Sequence, residues 1–269
     1  MKTRRAWRDT AVGILLLAVM LFPLYWIVNV SLQRGASAAG TDWFPTDPDL
    51  SGYRTALREQ GGHLVTSLLI GVGSALFSVL VAAPAAYVLA QFRSRWITAV
   101  LFAVLISQMV PGIVVANALY TAYEDLGLLD SVPGLILADS TAGIPFAILV
   151  IRAFMMGLPR AVVEAARIDG AGHFRTFVSV VLPMSVNAVV TAALFAFLFA
   201  WGDFLFALTL TTTGQVHPVT LGLYQYIGSY VADWSTVMAT AVLSSIPAVL
   251  LLAVAQRYVA AGATAGAVK

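Results

Sequence analysis

EAARIDGAGHFRTFVSVVLP, residues 164–183, is a charged stretch between two long apolar runs. Its charged and titratable residues are Glu164, Arg167, Asp169, His173 and Arg175. The neighbouring windows, 133–153 and 187–209, are almost entirely apolar and each is long enough to cross a bilayer, which takes about 17–25 residues. The sequence therefore predicts two membrane spans joined by a polar loop, and such a loop lies in water, where another protein can contact it.

The composition excludes a soluble globular domain. Of the 269 residues, 60% are apolar and 10% are charged, and the mean hydropathy is +0.89. Soluble domains have roughly 45–50% apolar and about 25% charged residues. The absence of cysteine excludes disulfides, thiolate metal sites and a cysteine nucleophile. The net charge of +2 is too small to indicate a nucleic-acid partner.

Six apolar windows predict an all-α polytopic membrane protein with six transmembrane helices. Continuous apolar runs favour helices, because strands of a membrane barrel alternate apolar and polar residues over about ten positions. Residues 1–10 are then an N-terminal segment and residues 259–269 a C-terminal tail. Ser51 to Gln60 is expected to form a separate short helix at the membrane surface. The six windows are 11–30, 64–90, 98–120, 133–153, 187–209 and 236–258.

The distribution of Lys and Arg predicts the orientation, because cytoplasmic loops are enriched in these residues. The connections expected in the cytoplasm hold Lys2, Arg4, Arg5, Arg8, Arg93, Arg95, Arg152, Arg160, Arg167, Arg175, Arg257 and Lys269. The opposite side holds only Arg34, Arg54 and Arg58. We therefore expect both termini and the loop 154–186 to be cytoplasmic.

The loop 154–186 is predicted to consist of two helical pieces joined by a glycine turn. A first helix is expected from Pro159 to Asp169, because these residues are good helix formers and proline suits a first turn. Gly170-Ala171-Gly172 would end it, and a second piece would run from His173 to Leu182, with Pro183 starting the next span.

The charged residues of the first predicted helix favour one exposed face. Arg160, Glu164 and Arg167 fall on one side, so that Glu164 can pair with both arginines. Ala165 and Ala166 keep the helix surface shallow, which suits docking into the groove of a partner. The alternative is an amphipathic connector that lies on the lipid headgroups.

The spacing E-A-A-x3-G-x9-[IV]-x-L-P is fulfilled by Glu164, Ala165, Ala166, Gly170, Leu182 and Pro183, and it resembles the cytoplasmic EAA loop of ATP-binding-cassette importer permeases. Within that family the chain resembles the carbohydrate-uptake subgroup of the maltose G-subunit type. Trp201 to Leu208, the C-terminal stretch from Gln256 to Lys269 and the run Phe22 to Trp26 carry this resemblance. Departures are Val180 for isoleucine, Asn187 for a frequent proline and Gly202 for asparagine.

The resemblance implies a transport subunit that is not an enzyme and that works in the cell membrane of a prokaryote. Its expected partners are a second related permease, two copies of a cytoplasmic ATPase and an extracytoplasmic substrate-binding protein. ATP and Mg would be bound by the ATPase, and this chain would bind no cofactor. The implied ATPase-coupling residues are Glu164, Ala165, Ala166, Arg167, Asp169, Gly170, Leu182 and Pro183.

The positions of the lysines agree with a separate ATPase. A phosphate-binding P-loop needs a lysine within G-x4-G-K-[ST]. The only lysines are Lys2 and Lys269, at the two ends of the chain. The chain therefore contains no such motif.

Polar residues within apolar windows are candidates for the substrate pathway, because they are costly in lipid and usually face the interior of the bundle. Because a sugar is bound by paired polar groups and an aromatic platform, the candidates are the polar residues Gln108, Asn117 and Asp203 and the aromatic residue Trp201. The alternative is that they satisfy kinked backbone or bind the partner subunit, and Asp203 fits a structural role best. His63, His173 and His217 are too scattered to predict a metal site.

The sequence thus favours an importer permease for a carbohydrate, moving its substrate by alternating access. The same machinery for another solute, such as a phosphate ester, a polyamine or an amino acid, remains an alternative. An ion-coupled secondary transporter would need an inverted repeat or buried ionisable pairs. A membrane-embedded enzyme would need a catalytic constellation within the spans.

Overall fold

The computed structural model describes residues 2–36, 40–92, 94–228 and 233–265, and its regular structure is helical. The all-α prediction is thereby confirmed. Arg93, Lys269 and the end of the C-terminal stretch lie outside the described residues. The helices are α1 (Lys2–Ser31), α2 (Ser51–Gln91), α3 (Arg95–Ser107), α4 (Gly112–Leu126), α5 (Val132–Met156), α6 (Arg160–Ile168), α7 (His173–Thr176), α8 (Leu182–Met184), α9 (Val186–Trp201), α10 (Leu205–Leu210), α11 (Val219–Gly228) and α12 (Trp234–Ala265), with a π-helical turn (Phe177–Val181) between α7 and α8.

Side-chain caps and glycines set several helix ends. Ser94 accepts a hydrogen bond from the amide of Trp96 at the start of α3, and Ser131 accepts one from the amide of Gly134 at the start of α5. These caps satisfy amides that have no partner within the helix. Gly127 ends α4 with φ of +65°, a left-handed conformation that favours glycine.

Among the described residues, four helices are long and apolar enough to cross a membrane, and two bent helix pairs bring the number to six if each pair is one span. The unbroken spans are Asp9–Ser31, Ser51–Gln91, Val132–Met156 and Trp234–Gln256. The pair α3 and α4 is bent by 94°, and the pair His173–Met184 and Val186–Trp201 by 79°.

The third apolar window does not form one straight helix. The break lies at residues 108–111, where Pro111 has extended backbone with φ of −58° and ψ of 132°. Proline disfavours helical backbone in the residue before it and has no amide to donate, so the helix ends before it. Pro23, Pro84, Pro145 and Pro247, by contrast, lie inside continuous helices.

The expected separate helix at residues 51–60 is wrong, because these residues are the first turns of α2. At about 1.5 Å per residue, its 41 residues measure roughly 60 Å, about twice the hydrocarbon thickness. The helix continues through Gly61 and Gly62, which only weaken it by about 1 kcal/mol each.

The described chain divides into two compact units. One comprises Met1–Leu64 and Gly222–Ile246, and the other Val65–Leu221 and Pro247–Lys269. In the first unit the amide of Trp234 donates to the carbonyl of Ala36 at 3.0 Å.

The core of the second unit is built from small residues on α2, α5 and α9. Ala82, Ala147 and Ala192 are fully buried and belong to one apolar cluster. A Cβ on Gly143 would lie 2.5 Å from the Ser78 hydroxyl, so α5 and α2 approach closely at this point. Small side chains permit such close approach of helices in membranes. The same cluster contains Val163 of α6, and it therefore extends into the loop 154–186.

Candidate coupling loop and substrate pathway

Helix α6 forms close to the predicted position. It runs from Arg160 to Ile168 with Pro159 at its N-cap, whereas the sequence predicted Pro159 to Asp169. Val163 is its buried residue, at 5% exposure. Glu164, Ala165 and Arg167 are exposed. One side of the helix is thus packed onto the core of the second unit while the other faces away from it.

The end of α6 explains the glycine in the EAA spacing. Gly170 has φ of +83°, the amide of Gly170 donates to Arg167 at 3.0 Å, and the amide of Ala171 donates to Ala166 at 2.9 Å. This pair of bonds, with a left-handed residue just past the helix, is a Schellman motif. Asp169 is the helix C-cap, and its amide donates to Ala165 at 2.9 Å.

The expected ion pairs of Glu164 do not form. Within the described ranges the ion pair found joins Arg34 and Asp49, at 3.8 Å. Arg167 instead donates a hydrogen bond from Nη2 to Nδ1 of His173 at 3.2 Å, which links the two sides of the glycine turn. The carboxylate of Glu164 is therefore left available to a cationic group of another molecule.

Two bulky apolar residues of the loop are strongly exposed, and the sequence analysis did not single them out. Ile168 is 86% exposed at the end of α6, and Phe174 is 80% exposed in α7. Their signal in the sequence was their position, since each stands close to the glycine turn within an otherwise polar stretch. Both side chains are therefore accessible to another molecule.

The second half of the loop is helical over His173–Met184, close to the expected His173 to Leu182, but it is not a regular α-helix throughout. It consists of α7, the π-helical turn and α8, and the amide of Leu182 donates to Phe177, five residues earlier. Pro183 lies in the first turn of α8 and lacks an amide, and its ring crowds the carbonyl four residues before it. The wider π turn is the place where the chain accommodates this proline.

Two of the four pathway candidates are exposed. Gln108 is the C-cap of α3, at the break before Pro111, and its backbone amide donates to the backbone carbonyl of Leu105 at 3.2 Å. Asn117 lies on an exposed side of α4, and its carbonyl accepts a bond from Thr121 at 3.5 Å. The side chains of both residues therefore lie at the surface of the chain.

The other two candidates take part in packing and capping. Trp201 is 8% exposed, and its ring is stacked on Phe197 with 5.4 Å between centroids. The carboxylate of Asp203 accepts bonds from the amides of Phe206 at 3.0 Å and Ala207 at 3.1 Å, and thus caps α10. Both side chains serve the internal structure of the second unit.

In the part of the chain that the structure describes, no three His, Cys, Asp or Glu side chains are grouped in a way that could hold a metal ion.

Curated relatives match almost the whole chain. The trehalose transport system permease protein SugB of Mycobacterium tuberculosis is 31% identical and covers 100% of both chains. The probable ABC transporter permease protein y4oR of Sinorhizobium fredii is 32% identical over 93% of this chain and 91% of its own. The trehalose/maltose transport system permease protein MalG of Thermococcus litoralis is 29% identical over 96% and 95%.

Solved structures share the fold. A bacterial ABC transporter involved in the import of the acidic polysaccharide alginate has a chain that matches with a TM-score of 0.79, 22% identity and coverage of 96% and 98%. A chain of the MetNI methionine ABC transporter matches with a TM-score of 0.61, 20% identity and coverage of 77% and 98%. At these identities the likeness shows the fold alone, which the chain shares with these two ABC transporter chains.

The family described as binding-protein-dependent transport system inner membrane component matches residues 78–264, which include the coupling loop and three of the four unbroken spans in whole or in part. Together with the full-length relatives, this match shows that the chain belongs to that family and is a transport permease subunit of an ABC importer, not an enzyme.

Proposed function

We propose that this permease subunit carries a carbohydrate across the cytoplasmic membrane of a prokaryote by alternating access, and that its loop 154–186 couples transport to a separate ATPase. The carbohydrate assignment is supported by full-length relatives whose names include trehalose, trehalose/maltose and diacetylchitobiose. A disaccharide or short oligosaccharide is accordingly the proposed substrate.

The observation that carries the coupling proposal is the two-sided character of α6. Val163 joins the loop to the core of the second unit, while Glu164, Ala165 and Arg167 face away from it. Displacement of the exposed side is therefore passed to the membrane spans instead of being absorbed by a loose connector. The exposed Ile168 and Phe174 supply apolar area for contact with the ATPase.

The proposed assembly follows from this division of labour. The chain pairs with a second permease, two copies of an ATPase hold ATP and Mg on the cytoplasmic side, and a substrate-binding protein delivers the sugar from the other side. The bias of Lys and Arg supports cytoplasmic termini and a cytoplasmic loop.

Gln108 and Asn117 are the proposed pathway residues of this subunit. An amide side chain in lipid is costly, so its exposure on a membrane helix favours a position facing a partner subunit or the pathway. Trp201 and Asp203 then support the pathway indirectly, through the packing and capping described above.

Transport assays with the complete complex test this proposal. The complex is reconstituted in vesicles with ATP and supplied with its binding protein, and uptake of radiolabelled trehalose, maltose and diacetylchitobiose is compared with that of spermidine and glycerol phosphate. We expect ATP-dependent uptake of a saccharide. Transport of the polyamine or phosphate ester alone would overturn the carbohydrate assignment, and uptake driven by an ion gradient without ATP would overturn the whole proposal.

A charge reversal tests the coupling role. Glu164→Lys is expected to abolish uptake and to weaken co-purification of the ATPase, whereas Glu124→Lys, at an exposed position of α4, is expected to preserve both. Normal uptake by the Glu164 variant would remove the coupling assignment.

A further inference from the structure

The loop 154–186 touches α2 as well as the helices to which the chain connects it. The ring of Tyr87 packs on Phe177 with 5.1 Å between centroids, and the ring of Phe92 packs on His173 at 5.5 Å. Tyr87 lies in the last turns of α2, and Phe92 follows directly after its end. Two ring contacts thus join the end of α2 to the second half of the loop.

The same end of α2 is also held from α5. Nε of Arg152 donates to the backbone carbonyl of Leu89 at 3.1 Å. This bond satisfies a carbonyl of the last helical turn, which has no partner within the helix. Within the second unit, the end of α2 is therefore attached to α5 as well as to the loop.

The part of the loop that contacts α2 is a helical segment that is sharply bent relative to α9. His173–Met184 meets Val186–Trp201 at 79°, and Ser185 stands at the bend. Phe177, on which Tyr87 packs, is the first residue of the π-helical turn. Such turns are rare and are frequently found at functional sites.

Neither the contact of Tyr87 with Phe177 nor the bend at Ser185 is fixed by a hydrogen bond of the Tyr87 or Ser185 hydroxyl. The Tyr87 hydroxyl and the Ser185 hydroxyl are buried, and neither forms a hydrogen bond with another described residue. Tyr87 is 4% exposed and Ser185 is fully buried. Tyr87 therefore contacts the loop through its ring and not through a hydrogen bond of its hydroxyl.

We infer that Tyr87 and Phe92 form a lateral linkage that passes movement of the coupling loop directly to α2, in parallel with the chain connection to α9. This inference rests on the proposed coupling function. Movement of α6 and α7 then reaches the spans along the backbone and through the packing of Val163 and, in addition, sideways through the two ring contacts. Tyr87 and Phe92 are positioning residues and contact neither ATP nor the transported solute.

The amount of substrate taken up per ATP hydrolysed measures this linkage. In the reconstituted complex, Tyr87→Ala and Phe177→Ala are each expected to lower this ratio, because the ring contact that passes loop movement to α2 is lost. Because both remove the same contact, the double variant should be no worse than the single ones. Tyr87→Phe keeps the ring and should keep the ratio.

A second ring contact provides a matched control. Phe146 and Phe195 pack at 5.0 Å between centroids, on α5 and α9 and away from the loop. Phe146→Ala is expected to lower the thermal stability of the complex while leaving the ratio unchanged. An unchanged ratio in Tyr87→Ala, or an equal loss in Phe146→Ala, would overturn the linkage.

Reversible cross-linking gives a test that does not depend on deleting a core ring. The chain has no cysteine, so Phe92→Cys with His173→Cys can be joined by a short reversible thiol reagent without background. If α2 and the loop move together, the joined complex retains most of its uptake. Loss of uptake on joining, restored by reductant, would show that they slide past each other and would refute the inference.

These tests separate the linkage from the function on which it rests. ATP-driven uptake by the unaltered complex, with no effect of Tyr87→Ala, overturns the linkage alone. Absence of ATP-driven uptake by the unaltered complex overturns both.

Discussion

The carboxylate of Asp130 accepts two hydrogen bonds from Thr212. The backbone amide of Thr212 donates to Oδ1 at 2.8 Å, and its hydroxyl donates to Oδ2 at 2.6 Å. The amide of Thr213 adds a third bond at 2.9 Å. Asp130 itself has φ of +50°, a conformation that Asp tolerates better than most residues. One side chain thus joins the connection before α5 to the segment after α10.

Removal of the hydrogen bonds that Asp130 accepts should destabilise the second unit. Asp130→Ala loses all three hydrogen bonds and is expected to cost about 1 kcal/mol, because the site is partly exposed to water. Asp130→Asn keeps one acceptor oxygen and the tolerance for positive φ, so its loss should be smaller. Thermal unfolding followed by tryptophan fluorescence measures both, with Asp125→Asn as an exposed control. Equal stability of all three variants would contradict the assignment.

The same hydrogen bonds predict that the stability of the second unit depends on pH. Burial raises the pKa of Asp130, but the hydrogen bonds from Thr212 and Thr213 outweigh it and hold the pKa below its ordinary value. A lowered pKa means that the stabilisation is present above the unfolded value of about 3.9 and is lost as the pH falls through the folded value. The stability difference between the unaltered chain and Asp130→Asn should therefore be constant near neutral pH and shrink below about pH 4. A difference that grows on acidification would reverse the sign and refute the argument.

The turn at the end of α6 should depend on glycine at one position and not at its neighbour. Gly170 has φ of +83°, so Gly170→Ala is expected to cost about 1–2 kcal/mol locally and to reduce co-purification of the ATPase. Gly170→Pro should abolish it, because proline cannot adopt this φ and removes the amide that donates to Arg167. Gly172→Ala is the control, since Gly172 has φ of −65° and nothing within 4 Å of an added Cβ. Equal effects of the two alanine variants would show that conformation is not the cause.

Helix packing in the second unit should be sensitive to volume at Gly143. An added Cβ there would lie 2.5 Å from the Ser78 hydroxyl and 3.2 Å from Cβ of Ala196, so Gly143→Val is expected to destabilise by about 1–3 kcal/mol. Gly61→Ala, at a helical position with nothing within 4 Å, should instead stabilise by about 0.5–1 kcal/mol. Melting temperatures of the purified protein decide the matter. An unchanged melting temperature of Gly143→Val would mean that α2 and α5 can move apart without loss of stability.

The exposed apolar residues of the coupling loop should contribute to ATPase affinity. Phe174→Ala and Ile168→Ala are each expected to weaken binding of the ATPase about 10-fold or more, as anchors at the centre of an interface do. Phe102→Ala removes a similar exposed ring, 64% exposed on α3, and should leave the affinity unchanged. Binding of the purified ATPase to the permease in lipid nanodiscs is the measurement. Unchanged affinity of the Phe174 variant would restrict the docking surface to the polar side of α6.

The local features of the coupling loop could be predicted from the sequence because they depend on neighbouring residues. Gly170 at the end of α6 and Pro159 at its start act through backbone conformation, which each residue sets by itself. The continuation of α2 through Gly61 and Gly62 could not be predicted in this way. Glycine weakens a helix by a small amount, and packing elsewhere along α2 decides whether the helix continues.

The structure separates the four candidate pathway residues into two exposed side chains and two that take part in packing and capping. Hydrophobic patterning identified Gln108, Asn117, Trp201 and Asp203 as polar or aromatic groups within apolar windows, but it does not show which of them are exposed. The contact of Trp201 with Phe197 and the bonds of Asp203 to α10 join residues at most four positions apart, whereas the burial of Trp201 and the exposure of Gln108 and Asn117 depend on how distant segments pack.

By itself, the sequence determined that this chain is helical, embedded in a membrane and equipped with a polar loop of the EAA type, because apolar content, span length and turn residues are properties of short segments. Only the tertiary structure decided that Val163 is buried while Ile168 and Phe174 are exposed, and that the loop packs on α2. The physical reason is that burial and ring contacts depend on which distant segments fill the space around a residue. That information lies in the packing of the helices and not in the order of residues along any one of them.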